Sequence, residues 1–201
     1  AVVIGANNSA HDICADLVEN GVEVTMVQRS STHIVRSDSL MELVFGGLYS
    51  EDALESGLTT DKADMLFASI PYKVMPNFHQ PIFEAIKERD KDFYEGLTKA
   101  GFMLDFGDDE SGLFMKYVRR GSGYYIDVGA CELIANGTIK LKSAPGLGVE
   151  RIEADAVVLN DGSRLPADLI VYATGYGSMN GWAAKLISQE VADKVGRCWG
   201  L

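Results

Sequence analysis

Cysteine, proline and basic residues are scarce in this sequence, and the shortage of cysteine and of basic residues argues against particular classes of protein. Its 201 residues include three cysteines, five prolines and only 18 Lys or Arg against 29 Asp or Glu, for a net charge of −11. A nucleic-acid partner is not expected, because binding a polyanion requires a basic face. Cys14, Cys131 and Cys198 are far apart and form no CxxC pair. We therefore expect reduced thiols in a cytoplasmic protein, and neither a disulfide framework nor a metal site.

Long apolar runs are also missing. No stretch approaches the ~20 residues needed to cross a bilayer, so no membrane span is predicted. A signal peptide is not expected either, because the chain starts inside an apparent strand. Hydrophobic residues make up 47% of the chain and charged residues 23%, which is typical of a globular domain with a core. The sequence starts without Met, directly before an apolar strand, and we expect it to be a piece of a longer protein.

The first 28 residues have the pattern of a strand, a helix and a second strand. Residues 1–4 are continuously apolar, Gly5 ends the run, and apolar residues recur at helical spacing from about Ser9. Gly21 has the position of a helix C′ residue. Residues 22–28 are again apolar and β-branched. A crossover this short predicts two neighbouring parallel strands.

The turn between the first strand and the helix has most of a dinucleotide fingerprint. The G-x-G-x-x-G/A pattern reads here as Gly5-Ala6-Asn7-Asn8-Ser9-Ala10. The helix N-terminus offers free N–H groups and partial positive charge to a pyrophosphate. Asn7 replaces the middle glycine, and we expect it to tolerate an unusual backbone angle and to donate from its amide. Ser9 is expected to contact phosphate or to cap the helix. The alternative is an ordinary strand-to-helix turn.

The end of the second strand indicates which nucleotide would bind. An NAD site usually has Asp or Glu there, about 20 residues beyond the fingerprint, on the ribose 2′-hydroxyl. This strand instead ends in Gln28-Arg29-Ser30-Ser31. Arg29, with Ser30 beside it, would pair with a 2′-phosphate. The sequence therefore predicts NADPH over NADH, unless Arg29 is simply an exposed surface residue.

Residues 37–126 do not continue the βαβ pattern, and we predict that they form a largely helical insert. One helix is expected to start at Thr59 or Thr60, and another to run over 82–100 with a solvated charged face. The acidic stretch GDDESG (107–112) lacks a fixed metal-ligand pattern and is interpreted as a solvated turn.

Short strands follow the helical region. Residues 139–142 form one, and residues 149–159 and 163–165 flank Asp161-Gly162, a strong hairpin signal. These segments predict an antiparallel meander packed on the parallel sheet.

A last strand and a helix complete the predicted fold. Residues 167–176 are apolar on both faces, which predicts a central parallel strand, and residues 182–196 form an amphipathic helix. The fold class is α/β, a Rossmann-like dinucleotide-binding fold. In such a sheet the ligand lies at the carboxyl ends of the strands, where the glycine turn, Arg29 and Thr174-Gly175 would all meet.

These motifs, in this order, resemble the NADPH-binding domain of class B flavin monooxygenases, a family that includes flavin-containing, YUCCA-type and Baeyer–Villiger monooxygenases. They are the glycine turn with SAHD, the arginine after the second strand, DVGA (127–130) and DLIVYATGY (168–176). The resemblance implies that residues 1–201 are an NAD(P)H-binding domain and that the FAD-binding segments lie outside the chain. In such enzymes NADPH reduces FAD, and the reduced flavin uses O₂ to oxygenate a small organic substrate.

The resemblance also implies roles for particular residues. Ser9 would contact phosphate, Arg29 the 2′-phosphate, and the segment at Thr174 would lie beside the nicotinamide and the flavin. The whole candidate cofactor site is Gly5, Ala6, Asn7, Asn8, Ser9, Ala10, Arg29, Ser30, Thr174 and Gly175. No catalytic residue is assigned, and an oligomer is not excluded. Two alternatives remain open at this point: a flavoprotein reductase of the disulfide-reductase type, and a non-catalytic nucleotide-sensing or interaction domain.

Overall fold

The structure is a computed structural model that describes residues 1–196; Cys198 lies outside the described residues. Its strands are β1 (Val2–Ile4), β2 (Thr25–Gln28), β3 (His33–Arg36), β4 (Tyr124–Asp127), β5 (Lys140–Ser143), β6 (Val149–Ile152), β7 (Ala156–Leu159), β8 (Arg164–Pro166) and β9 (Ile170–Tyr172). Its α-helices are α1 (Asn8–Glu19), α2 (Ser37–Ser39), α3 (Gly46–Tyr49), α4 (Glu51–Glu55), α5 (Thr60–Ala68), α6 (Met75–Arg89), α7 (Lys91–Lys99), α8 (Leu113–Arg120), α9 (Ala130–Ala135), α10 (Asn180–Leu186) and α11 (Gln189–Val195). A π-helical turn, Leu40–Phe45, joins α2 to α3. None of the described helices is long and apolar enough to span a bilayer.

The main sheet confirms the predicted βαβ start. Its order is β5-β2-β1-β9, and every pair in it is parallel. Helix α1 connects β1 to β2 and ends where Gly21 takes a φ of 74°. There the N–H groups of Gly21 and Val22 donate to the last carbonyls of the helix, those of Val18 and Leu17. The α/β class with a central parallel sheet is confirmed.

The last strand occupies a different place in the sheet from the one predicted. β9 pairs with β1 in parallel, but within the described residues it is an edge strand and is not central. Leu169 and Tyr172 are 48% and 59% exposed. An apolar run predicts a strand with two covered faces, and in residues 1–196 these side chains remain uncovered.

The antiparallel meander is confirmed. β6 pairs with β7, and β7 with β8, both antiparallel, with Gly162 at a φ of 84° in the turn between β7 and β8. All four residues of β7 are buried. Val157 and Leu159 pack with Val2 and Val27 of the main sheet in one apolar cluster. The meander therefore covers one face of that sheet.

A two-stranded parallel sheet brackets the segment between residues 37 and 123. β3 runs into the segment and β4 leads out of it, with His33 opposite Tyr124 and Arg36 opposite Asp127. The regular elements between these two strands are all helical. The helix predicted from Thr59 or Thr60 is confirmed, with the Thr59 hydroxyl accepting from the Lys62 N–H at 3.5 Å.

The single helix predicted over 82–100 is two helices. α6 starts at Met75 and ends at Arg89, and α7 begins at Lys91. Between them the Asp90 side chain turns inward, because the Ser39 hydroxyl donates to it at 2.5 Å and Arg36 lies 3.6 Å away. Asp90 is 4% exposed, so the interpretation of the whole charged run as solvated is wrong at this residue.

Two other expectations are corrected. The acidic loop 107–112 is more than a solvated turn, because the Asp109 carboxylate accepts from Arg119 at 2.7 Å. That hydrogen bond outweighs partial burial and lowers the pKa of Asp109 to about 2. The helix predicted over 182–196 breaks at Ile187, and a second helix starts after Ser188, whose hydroxyl accepts from the Val191 N–H.

Candidate nucleotide-binding site

The three segments predicted to converge lie side by side in the structure. β1, β2 and β9 end in register, with Ile4 opposite both Val27 and Tyr172. Just beyond, the Gly5 N–H donates to the Val27 carbonyl at 3.0 Å, and the Ala173 N–H donates to the Ile4 carbonyl at 2.9 Å. The glycine turn, Arg29-Ser30 and Thr174-Gly175 therefore share one edge of the main sheet. That the ten residues of the candidate cofactor site bind a nucleotide stays a prediction.

The backbone at position 5 accepts only glycine. Its φ is 136°, and a Cβ placed on it would lie 2.2 Å from the Ala173 carbonyl oxygen. No side chain fits at that distance. The glycine of the turn thus lets the end of β1 pass directly against the end of β9.

Asn7 does not have the backbone conformation that its position in the fingerprint suggested. Its φ of −110° and ψ of −165° are extended values that any residue adopts. The expected unusual backbone angle is therefore wrong. The Asn7 carbonyl accepts from the His11 N–H at 3.1 Å, and its side-chain oxygen accepts from the Thr32 hydroxyl at 3.4 Å. Asn7 joins the turn to the loop after β2.

The start of α1 leaves several donors free. The helix begins at Asn8 with Asn7 as its N-cap, so Ser9 lies inside the first turn and does not cap it. The N–H groups of Asn8, Ser9 and Ala10 donate to no other residue among 1–196, and the Ser9 side chain is exposed. Asn8 is partly committed, because its side-chain oxygen accepts from the Ile126 N–H at 3.4 Å. An anion at this helix end would meet unpaired N–H groups and one hydroxyl.

The loop after β2 presents Arg29 to solvent. The preceding residue, Gln28, is fully buried, and its amide both donates to the Met103 carbonyl at 3.0 Å and accepts from the Met103 N–H at 2.8 Å. The Gly146 N–H donates to the Arg29 carbonyl at 2.9 Å. The backbone of Arg29 is thus held on both sides. Its guanidinium is exposed and makes no ion pair with another described residue.

Sequence reasoning missed the contacts that hold this edge together. Gln28, Thr32 and Asp105 all tie the loop after β2 to the helical region. The partners of Gln28 and Asp105 lie about 75 residues away along the chain, and the Thr32 hydroxyl also bonds to Asn7 in the turn before α1. A polar residue closing a buried strand, as Gln28 does, was the one available signal.

A fully buried histidine lies directly behind the turn. The His11 ring stacks on Tyr125 of β4 with a 4.0 Å centroid separation, and its Nδ1–H donates to the Asn7 carbonyl at 3.0 Å. Burial lowers the pKa of His11 to about 4, an effect opposed by that hydrogen bond and by the charge of Asp127. Burial likewise lowers the pKa of His33, which lies on β3, to about 4. Both imidazoles are therefore neutral in the folded protein near pH 7.

These two histidines predict a loss of stability in mild acid. Because both pKa values lie below the ordinary value near 6.5, the unfolded chain binds more protons than the folded chain between about pH 6.5 and pH 4. We expect the free energy of unfolding to fall across this range by up to ~1.4 kcal/mol per pH unit for each histidine. Urea unfolding at pH 7, 6 and 5 measures it. His11→Phe should reduce the slope, and an unchanged free energy between pH 6.5 and 4.5 would contradict the assignment.

The DVGA segment has a structural role in this chain. The Asp127 carboxylate accepts from the Gly129 N–H at 3.2 Å and the Cys131 N–H at 3.0 Å, which starts helix α9. Cys131 and Cys14 are buried free thiols. Burial raises the pKa of Cys14 to about 12 and raises that of Cys131 as well. Neither thiol is poised for redox exchange.

Comparison with known proteins supports a relationship to flavin monooxygenases. No profile of a known protein family matches the chain. The chain is 25% identical over 177 residues to indole-3-pyruvate monooxygenase YUCCA8 of Oryza sativa subsp. indica, a match that covers 88% of the chain and 35% of the relative. It is 25% identical over 181 residues to the probable indole-3-pyruvate monooxygenase YUCCA10 of Arabidopsis thaliana, covering 88% of the chain and 37% of that protein. The chain thus spans about a third of the length of these relatives.

Solved structures support the fold. A cyclohexanone monooxygenase mutant from Rhodococcus sp. Phi1 bound to NADP⁺ superposes with a TM-score of 0.51 at 15% identity, over 92% of this chain and 40% of that one. An ε-caprolactone-bound cyclohexanone monooxygenase gives a TM-score of 0.50, also at 15% identity, over 90% and 40%. The resemblance to class B flavin monooxygenases that the motifs indicated is confirmed.

Proposed function

We propose that this chain, which is similar over most of its length to class B flavin monooxygenases, is the NADPH-binding part of an FAD-dependent monooxygenase. The observation that carries the proposal is the shared sheet edge. The start of α1, where the N–H groups of Asn8 and Ser9 have no partner among residues 1–196, lies there together with the exposed Arg29 of the loop after β2. The first suits a pyrophosphate and the second a 2′-phosphate.

The residues present fit the nucleotide. Among residues 1–196 the N–H groups of Asn8 and Ser9 and the Ser9 hydroxyl have no hydrogen-bond partner and can bind phosphate, and no carboxylate directly follows β2 to repel a 2′-phosphate. The Arg29 guanidinium can make a bidentate contact with it. Thr174-Gly175, beside the turn, would line the path of the nicotinamide half. NADPH supplies a hydride when bound, and these residues bind and orient it.

The whole-protein chemistry is part of the same proposal. The reduced flavin would use O₂ to oxygenate a small organic substrate, and the segments that hold FAD are expected outside residues 1–201. No residue here is assigned to FAD or to the substrate. The flavin and nicotinamide would carry the reaction, while the protein would control binding and geometry. A cytoplasmic location, expected from the reduced thiols, belongs to this proposal too.

Titration of the purified chain with NADPH and NADH tests the proposal. We expect NADPH to bind at least tenfold more tightly than NADH, because only NADPH carries the phosphate that Arg29 would contact. Isothermal titration calorimetry gives both dissociation constants. Equal affinity for the two nucleotides would overturn the 2′-phosphate assignment, and no binding of either would overturn the proposed function.

A further inference from the structure

The buried ring of His11 is bonded to the backbone of the glycine turn. Its Nδ1 lies 3.0 Å from the Asn7 carbonyl oxygen, which also accepts from the His11 backbone N–H at 3.1 Å. A carbonyl oxygen only accepts hydrogen bonds, so the proton of the neutral ring is on Nδ1. Two hydrogen bonds from one residue therefore hold the Asn7 carbonyl in place.

The Asn7 carbonyl belongs to the same peptide group as the Asn8 N–H. This peptide is trans, and in a planar trans peptide the C=O and N–H bonds point in opposite directions. Fixing the carbonyl therefore fixes the direction of the N–H, which has no partner among residues 1–196. The Asn8 N–H is one of the donors assigned above to the pyrophosphate, so a ring behind the turn sets the direction of a contact in front of it.

The ring itself is held by the two-stranded sheet. It stacks on Tyr125 of β4 with a 4.0 Å centroid separation and a 9° angle between the ring planes, and Phe102 packs against it at 5.7 Å. The Asn8 side-chain oxygen accepts from the Ile126 N–H of the same strand at 3.4 Å. Two adjacent residues of β4 therefore support the glycine turn from behind.

Stacking alone does not account for a histidine at this position. A phenylalanine would also stack on Tyr125, whereas His11 is fully buried and its Nε2 has no hydrogen-bond partner among residues 1–196. A buried nitrogen without a partner costs free energy that a phenylalanine would avoid. The group that a phenylalanine would lack is the Nδ1–H, and its acceptor is the Asn7 carbonyl.

We propose that His11 is a positioning residue for the pyrophosphate: its Nδ1–H fixes the Asn7–Asn8 peptide, and this peptide directs the Asn8 N–H at the phosphate. The inference rests on the proposed function and deepens it. It assigns the buried ring to the part of the cofactor that NADPH and NADH share, whereas Arg29 would contact the 2′-phosphate that only NADPH carries. His11 should therefore affect how tightly both nucleotides bind and not which of them is preferred.

Titration with NADPH, NADH and adenosine 2′-phosphate, which has no pyrophosphate, tests the inference. His11→Phe keeps the stack and loses the Nδ1–H, so both dinucleotides should bind about three- to tenfold more weakly, the worth of one hydrogen bond. Adenosine 2′-phosphate should bind as before. His11→Asn places an amide N–H near the position of Nδ1 and should restore both affinities to within about twofold of the unaltered chain. His79→Phe removes another buried histidine, which packs on Phe67 and Phe114, and should change none of the three affinities.

The outcomes separate a positioning role of His11 from a structural one and from failure of the proposed function. Unchanged dinucleotide affinity in His11→Phe, or His11→Asn as weak as His11→Phe, would overturn the inference. Weaker binding of adenosine 2′-phosphate by His11→Phe would indicate a general loosening of the fold and would overturn it as well. If His11→Phe does not fold, NMR of the unaltered chain decides. NADP⁺ should shift the Nδ1–H resonance of His11 and adenosine 2′-phosphate should not, because the ring and the pyrophosphate would bond to one peptide; an unshifted resonance overturns the inference. Failure of the unaltered chain to bind either dinucleotide would remove the proposed function and this inference together.

Discussion

Replacing Arg29 with alanine is expected to weaken NADPH binding about 10- to 100-fold and to change NADH binding by less than about twofold. A charge-assisted hydrogen bond is worth about 1.5–3 kcal/mol, and a guanidinium can make two to one phosphate. Because the Arg29 side chain is exposed and has no ion-pair partner within residues 1–196, its removal should leave the fold intact. Titration calorimetry with both nucleotides measures the change.

Two further variants sharpen this experiment. Arg29→Lys keeps the charge but loses the planar fork, so its NADPH affinity should lie between those of the unaltered chain and Arg29→Ala. Arg151→Ala removes the same charge from an exposed arginine on the meander, paired there with Glu153, and should have little effect. Equal weakening of NADPH and NADH by Arg29→Ala would indicate that Arg29 does not read the 2′-phosphate.

Substituting Gly5 by alanine is expected to destabilise the chain by roughly 3 kcal/mol or more. The added Cβ would lie 2.2 Å from the Ala173 oxygen and 2.9 Å from the Ala173 carbonyl carbon, at a φ of 136° that favours glycine. Backbone strain of this kind costs of order 1–3 kcal/mol, and a clash with backbone adds to it. Since β1 and β9 must separate to relieve the clash, nucleotide binding should weaken too.

Urea unfolding at pH 7 measures the effect of Gly5→Ala. Gly181→Ala is a matched control, because the same methyl group added within α10 meets nothing within 4 Å and alanine favours a helix. That variant should be as stable as the unaltered chain or slightly more so. A loss below about 1 kcal/mol for Gly5→Ala would mean that the turn relaxes easily and that the contact with Ala173 is not tight.

The sheet edge could be predicted because it follows from local patterns and one topological rule. Apolar runs identified β1 and β2, the 3.6-residue period and Gly21 identified α1, and a short crossover makes such strands parallel. Parallel strands end at one edge, so the meeting of Gly5, Arg29 and Thr174 did not require knowledge of any side-chain contact. The structure confirms that meeting.

The features that the sequence did not reveal depend on distant partners. No Pro or Gly marks the helix break at Asp90, where the carboxylate accepts a hydrogen bond from Ser39, 51 residues away. An apolar pattern cannot distinguish an edge strand from a central one, which explains the error at β9. The Lys116–Asp105 ion pair joins α8 to the segment after α7, and neither of the two carries a signal for the other.

The location of bound NADP⁺ tests the central claim most directly, and a crystal structure of the chain with this nucleotide would give it. We predict the pyrophosphate on the N–H groups of Asn8 and Ser9 and the 2′-phosphate within hydrogen-bonding distance of the Arg29 guanidinium. A nucleotide bound elsewhere, for example in the groove between Arg36 and Glu132 at the carboxyl ends of β3 and β4, would contradict the account. So would a 2′-phosphate that points away from Arg29.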